Sequence, residues 1–314
     1  MIRKTILPTY PEPLSCICLG TAYYGAEYDE KRSVELLDAY YAMGGRFLDT
    51  ANVYGRWSPS GQNESEAIIG RWLKAREITD MVVMTKGCHY ALEAKHISRV
   101  NRECAMADLE ESRRTLDCDV IPIWLMHRDD ETVDIREIVD FLAEAVRTGK
   151  IRRFGFSNYR AGRIKAALDY MGEDWPELFF GVSNEWSLHE ECAMKDSDGA
   201  AYVNTDGLVA ADSDLLRLHR AYGLPLIPYQ AAAGGFYDKL DGEADLSERE
   251  RRIYGYLREE AAHYRVSLTA VSLAYILNSG LNAIPVVSVS SPAQMASFDD
   301  VSAWVGDLSY LCRL

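Results

Sequence analysis

Four ionisable residues stand at or just past the ends of apolar runs, from where side chains of neighbouring strands can reach one shared site. Asp49 closes Arg46-Phe47-Leu48, and Tyr54 follows it within the same short segment. Lys86 ends Met81-Val82-Val83-Met84-Thr85, and His127 ends Ile121-Pro122-Ile123-Trp124-Leu125-Met126. Singly, each has an ordinary structural explanation: a packing tyrosine, an N-capping aspartate, a solvated lysine, a satisfied histidine. Together they make a proton-transfer set. A free phenol titrates near about 10, too high for easy exchange at neutral pH, and an adjacent ammonium favours phenolate and lowers that value. Lys86 is therefore expected to tune Tyr54. Asp49 would hold and charge-balance Lys86, because an unpaired ammonium in a desolvated pocket is costly. His127 would orient a substrate carbonyl or pass a proton.

Such convergence needs a scaffold that brings several strand ends to one mouth. Eight β-rich runs supply it: Ser15 to Leu19, Arg46 to Asp49, Met81 to Thr85, Val120 to Leu125, Arg153 to Phe156, Phe179 to Ser183, Leu224 to Pro228 and Ala283 to Val287. Amphipathic helical patterns lie between them, as at Lys31 to Met43, Glu64 to Ala75, Arg102 to Leu116, Ile135 to Thr148 and Ala161 to Met171. Alternation of this kind predicts an α/β protein with a parallel sheet, here a (β/α)8 TIM barrel forming a single domain over residues 1–314. Two Gly-, Ser-, Asp- and Asn-rich segments, Arg56 to Asn63 and Glu190 to Ser213, read as long loops on the rim that carries barrel active sites.

Composition narrows the function. The 314 residues carry a formal net charge of -14, which argues against nucleic acid, whose binding draws on Lys and Arg. No run of apolar residues is long enough to span a membrane, and Met1 to Pro8 lacks the apolar core of a signal peptide, so a cytoplasmic protein is expected. Seven cysteines, an odd number without a CxxC pair, read as reduced thiols. No HExxH occurs, and His189-Glu190-Glu191-Cys192 lacks a partner histidine at the right spacing, so no metal is expected. No GxGxxG follows a strand, which leaves a Rossmann site without support.

Several segments, in order, resemble the aldo-keto reductase superfamily. They are Gly45-Arg46-Phe47-Leu48-Asp49-Thr50-Ala51, Val53-Tyr54-Gly55, Glu66-Ala67-Ile68-Ile69-Gly70, Met84-Thr85-Lys86, Trp124-Leu125-Met126-His127 and Lys150 to Asn158. The resemblance extends from Leu19-Gly20-Thr21 to Ser291-Pro292-Ala293-Gln294-Met295. It implies a nicotinamide-dependent interconversion of an aldehyde, ketone or sugar carbonyl with its alcohol, Tyr54 being the general acid/base and Asp49, Lys86 and His127 its support. It also implies cofactor contacts at Gly20, Thr21, Ser157, Asn158, Ser183, Tyr229, Gln230, Ala231, Ala233, Ser288, Ser290 and Gln294. Ser157 and Asn158 would bond the carboxamide, Tyr229 would stack on the ring, and the small-residue turn Gln230 to Gly235 would meet the pyrophosphate.

The match departs from the pattern at both cofactor ends. Ser183 stands where the family generally has Gln, with Asn184 as a substitute donor, and the segment around Ser288, Ser290 and Gln294 lacks the Lys or Arg that usually meets a 2′-phosphate. NADP is the first expectation from the resemblance and NAD the alternative. Tyr23, Tyr24, Trp57, His89, Arg128, Trp186 and His189 are placed around the mouth, giving aromatic walls with polar tips for a small-molecule substrate. Arg128 would attract an anion, but Asp129, Asp130 and Glu131 follow it directly and are expected to offset its charge. Two other readings stay open: a Schiff-base lyase or isomerase using Lys86, and a non-catalytic relative that binds the cofactor. The oligomeric state is not readable from the chain.

Overall fold

The computed structural model describes residues 1–189, 208–240 and 246–302. Strands β3 (Cys18–Gly20), β4 (Phe47–Asp49), β5 (Val82–Gly87), β6 (Ile121–Met126), β7 (Ile151–Ser157), β8 (Phe179–Ser183) and β9 (Val286–Val287) form one parallel sheet in the order β8-β7-β6-β5-β4-β3-β9. The remaining stave is the segment around Leu226, which makes parallel bridges to Val182 on one side and Ala283 on the other. Ile227 N donates to Val182 O at 2.8 Å and Ile284 N donates to Leu226 O at 2.9 Å, so the sheet closes into a (β/α)8 barrel. That stave pairs only at single bridges because Pro225 and Pro228 have no N–H to give a ladder.

The sequence expectation for the strands holds to within a few residues, and the helices α1 (Glu30–Ala42), α2 (Glu64–Ala75), α3 (Arg102–Thr115), α4 (Ile135–Arg147) and α5 (Ala161–Met171) follow the expected patterns. Asp29, Asn63, Asn101 and Asp134 cap the first four by accepting from backbone amides of the first turn. No side chain caps α5, whose N-cap is Arg160, so Ser157 and Asn158 are not spent on that role. Much of the second expected rim loop, residues 190–207, lies outside the described residues.

An antiparallel hairpin, β1 (Lys4–Leu7) with β2 (Tyr10–Ser15), was not expected from the sequence. It closes the barrel end formed by the strand starts. Leu7, Tyr10 and Leu14 join Phe47, Ile123, Phe180, Ile227 and Ile284 in the interior core, and Thr9 donates its hydroxyl to the Phe180 carbonyl at 2.5 Å. The opposite end, where the strands finish, is left for the site.

Candidate active site

Asp49 ends β4, Lys86 is the penultimate residue of β5, and His127 lies one residue beyond β6. Parallel pairing of β4 with β5 and β5 with β6 brings these ends together. Tyr54 comes from the turn after β4, where Gly55 takes a left-handed backbone (φ 89°); a Cβ there would sit 2.7 Å from Glu64 Cβ, so only glycine lets the turn close against α2.

Lys86 Nζ lies 2.7 Å from Asp49 Oδ1, donates to Thr50 O at 2.9 Å and donates to the Tyr54 hydroxyl at 3.2 Å. The ammonium thus gives two hydrogen bonds and sits in ion-pair contact with Asp49. Burial works to neutralise this ammonium, but Asp49 and Tyr54 more than offset that and raise its pKa, so it stays charged. Burial also pushes the Tyr54 phenol up, and Lys86 pulls it down without overcoming burial. The ammonium thus acts in the expected direction, but in this state it does not bring the phenol below its ordinary value. His127 stacks edge-on to Tyr54 at a ring-centroid distance of 5.9 Å. Burial, then the Arg128 charge, hold its imidazole well below the usual histidine range, so it is neutral. Its Nδ1 is buried without a hydrogen-bond partner among the described residues.

These groups open onto a cavity of about 900 Å³. Tyr23, Trp57, His89 and Arg128 line it beside Tyr54, and Gly20, Ser157, Asn158, Tyr229, Gln230, Ser288, Ser290 and Gln294 line the rest. A turn of left-handed residues, Gln230 (φ 55°), Ala233 (47°), Gly234 (62°) and Gly235 (74°), borders it. A Cβ at Gly234 would meet nothing within 4 Å, so the backbone there stays open to the cavity. Small residues of this kind let amides approach a phosphate.

The model of the aldo/keto reductase family matches residues 16–303. The chain belongs to that family. Among its relatives, it is 29% identical over 305 residues to the aldo-keto reductase ausK of Emericella nidulans, covering 88% of this chain and 70% of that protein. It is 26% identical over 292 residues to a probable aryl-alcohol dehydrogenase of Saccharomyces cerevisiae, covering 82% and 79%. With norsolorinic acid reductase B of Aspergillus parasiticus it shares 25% over 314 residues, covering 91% and 76%. Its fold matches an aldo-keto reductase of Bacillus halodurans in its holo form, with TM-score 0.74, 19% identity and coverage of 100% and 96%. It also matches a thermostable aldo-keto reductase complexed with epalrestat, with TM-score 0.72, 21% identity and coverage of 99% and 98%. Membership makes the chain an oxidoreductase of a family that generally uses NAD(P)H.

Within this reductase, several expected contacts lie elsewhere than the resemblance implied. Tyr24 and Trp186 are buried and do not line the cavity; Tyr28 lines it instead, and Trp186 packs 6.0 Å from the Tyr275 ring. Thr21 is used structurally, donating to Asp49 O at 2.9 Å and meeting Ser65 Oγ at 2.9 Å. Ala231 and Ala233 do not line the cavity, whereas Ala232, Gly234 and Gly235 do. Ser183 is buried off the cavity with an unpartnered hydroxyl. Asn184 does not substitute for it: its Oδ1 accepts from Asn158 N at 2.8 Å and its Nδ2 donates to Tyr159 O at 2.9 Å. Asn158 is itself saturated, its Nδ2 donating to His127 O and Ser157 Oγ at 3.0 Å each and its Oδ1 accepting from the Tyr229 hydroxyl at 2.6 Å and Val209 N at 3.1 Å. A carboxamide could reach Asn158 only by displacing one of them.

The sequence reading also missed three residues. Lys239 lines the cavity and donates to Gly234 O at 2.6 Å, placing a cation beside the left-handed turn. Asp238 next to it lines the cavity too. Arg32, from α1, donates to the Ser290 carbonyl and lies 5.0 Å from the Tyr28 ring centroid. Lys239 had a local signal, a lysine shortly after a glycine turn; Arg32 had none, being far away in the chain. No helix among the described residues is long and apolar enough to cross a membrane.

Proposed function

We propose that this chain interconverts an aromatic aldehyde or ketone with its alcohol, with Tyr54 as the proton donor and NADP, or in second place NAD, as the cofactor. The observation that carries this reading is the cluster of buried Asp49 and Lys86 with Tyr54, opening onto a cavity bordered at one side by a left-handed turn of small residues. A bound nicotinamide supplies the hydride to the carbonyl carbon. As the C=O double bond becomes a single bond, its oxygen takes the proton from Tyr54, and the charged Lys86 steadies the phenolate left behind. Neutral His127 orients the carbonyl oxygen. Solvent returns the proton to Tyr54 for the next cycle.

The left-handed turn with Lys239 supports a pyrophosphate at that side, and Tyr229 supports a ring stacked above Asn158. Arg32 beside Ser290 supports NADP, since it offers a 2′-phosphate the cation that the local sequence lacks. Tyr23, Trp57 and His89 support an aromatic substrate, in keeping with the yeast relative's being a probable aryl-alcohol dehydrogenase. A Schiff base at Lys86 is disfavoured, because its ammonium is held by Thr50 O, the Tyr54 hydroxyl and the Asp49 carboxylate and its charge is stabilised. Five cysteines free among the described residues fit a cytoplasmic setting. The test is a tryptophan-quenching titration with NADPH and NADH, then assay of an aryl aldehyde with the tighter one. Failure of both to bind would remove this reading.

A further inference from the structure

The expected neutralisation of Arg128 by the acids that follow it does not occur. Asp129 forms a two-point ion pair with Arg163 at 2.8 and 2.9 Å. Asp130 accepts from the backbone amide and hydroxyl of Thr132 at 3.0 and 2.6 Å. Glu131 pairs with Arg160 at 3.4 Å. Asp108, on α3, is taken by Arg99 and by Cys88 N. Among the described residues no carboxylate lies within ion-pair distance of Arg128.

What Arg128 does touch is neutral. One Nη donates to His127 O at 3.0 Å and the other meets His89 Nε2 at 3.1 Å. His89 Nδ1 lies 2.9 Å from the Tyr90 carbonyl, which only accepts, so Nδ1 carries the proton and Nε2 accepts from Arg128. Arg128 Nε is buried with no hydrogen-bond partner among the described residues. The guanidinium, which also lies 5.6 Å from the centroid of the Tyr90 ring, therefore keeps three of its five N–H donors and meets no opposite charge among the described residues. It lines the main cavity and also a second recess of about 350 Å³ bordered by Lys95, His96 and Arg99. From Arg128, His89 lies next, edge-on to His127 at a ring-centroid distance of 4.8 Å, and His127 in turn meets Tyr54.

Resting on the reductase reading of this site, we propose that Arg128 anchors an anionic group, a carboxylate, carried by the carbonyl substrate at the end remote from the reacting carbon. In the chain of contacts from Arg128 to Tyr54, the rings of His89 and His127 stand between the anchor and the reacting end. A fork of N–H donors matches a carboxylate in two-point geometry, and its charge is weakly screened in a walled cavity.

The probes are 4-formylbenzoate and its uncharged isostere 4-formylbenzamide, titrated calorimetrically into the full chain with and without oxidised dinucleotide, so that no turnover occurs. Roughly tenfold tighter binding of the benzoate is expected, shrinking as salt is raised. Arg128→Gln collapses the affinity ratio towards one, and Arg128→Lys keeps part of it. Equal affinity of the wild-type protein for the two probes overturns the proposal. So does a parallel loss of both probes in Arg128→Gln, which would make Arg128 a positioning residue acting through His89. A benzoate preference that persists while neither dinucleotide binds and neither aldehyde is reduced keeps the anion anchor and sinks the oxidoreductase reading instead.

Discussion

The two ends of the cavity are held by different means. At the reacting end Asp49, Lys86, His127 and Ser157 finish four adjacent strands, so the register of a hydrogen-bonded ladder sets their spacing. At the far end Gln230 to Lys239 and Ser288 to Asp300 are turns and short helices, tied by side-chain contacts such as Gln294 Oε1 accepting from Ser290 N at 2.7 Å and from its hydroxyl at 3.1 Å. Register tolerates little change without refolding the barrel, whereas turns can exchange side chains freely. On the proposed reading, the chemistry therefore belongs to the rigid end and cofactor discrimination to the adjustable one.

Removing the proton donor separates the two ends most sharply. Tyr54→Phe is expected to cut turnover by roughly a thousandfold while leaving dinucleotide affinity nearly unchanged, because the hydroxyl serves the substrate and not the cofactor. Steady-state kinetics with quenching titration checks both numbers. A variant that still turns over at wild-type rate takes Tyr54 out of the mechanism.

Rigidity of the reacting end rests on the ion pair. Lys86→Met strips Asp49, only 4% exposed and with its pKa already raised by burial, of the charge that favours its ionised form; leaving it charged or protonating it costs up to about 3–5 kcal/mol in stability, along with the loss of turnover. The double variant Asp49→Asn/Lys86→Met should regain most of that stability and none of the activity. Urea unfolding distinguishes the outcomes: a single variant as stable as wild type means Asp49 is already protonated in the native protein.

This contrast also explains what the sequence disclosed. Asp49, Lys86 and His127 could be picked out because an ionisable residue ending an apolar strand is conspicuous, and strand alternation announces the barrel. The β1–β2 hairpin escaped notice because Pro8, Pro11 and Pro13 break any strand-like run, although Leu7, Tyr10 and Leu14 still plug the core. Tyr24 and Trp186 were misplaced because an aromatic near a loop gives no sign of which way it points. Arg32 was invisible because its proximity to Ser290 arises only when the barrel closes α1 against the last stave.

Beneath the reacting end, Glu66 tests how dry that floor is. Thr85, beside Lys86, and Asn63 both donate to its carboxylate, yet burial pushes its pKa from 4.5 to about 7. Between those values the folded chain holds a proton that the unfolded chain has released. Stability should therefore fall as pH rises through this window, by up to about 3 kcal/mol, and level off above it. Glu66→Gln removes that slope and gains on the wild type at pH 8. Denaturant melts at pH 5 and pH 8 measure it, and parallel curves for the two proteins would mean that Glu66 is ionised throughout.

The smallest expected effect decides the far end. Arg32 reaches the Ser290 carbonyl from α1, and Asp300 lines the same stretch of cavity. A 2′-phosphate lodged there gains a charge-assisted bond from Arg32 and repulsion from Asp300, whereas a free 2′-hydroxyl gains only an acceptor in Asp300. Arg32→Gln should weaken NADPH by roughly tenfold and flatten its salt dependence, with NADH scarcely moved. Asp300→Asn should strengthen NADPH by a smaller factor. If instead NADH binds the wild type more tightly, Asp300→Asn weakens NADH and Arg32→Gln changes neither cofactor, then Asp300 reads a ribose hydroxyl. The ranking of the two cofactors then reverses, with the reacting end untouched.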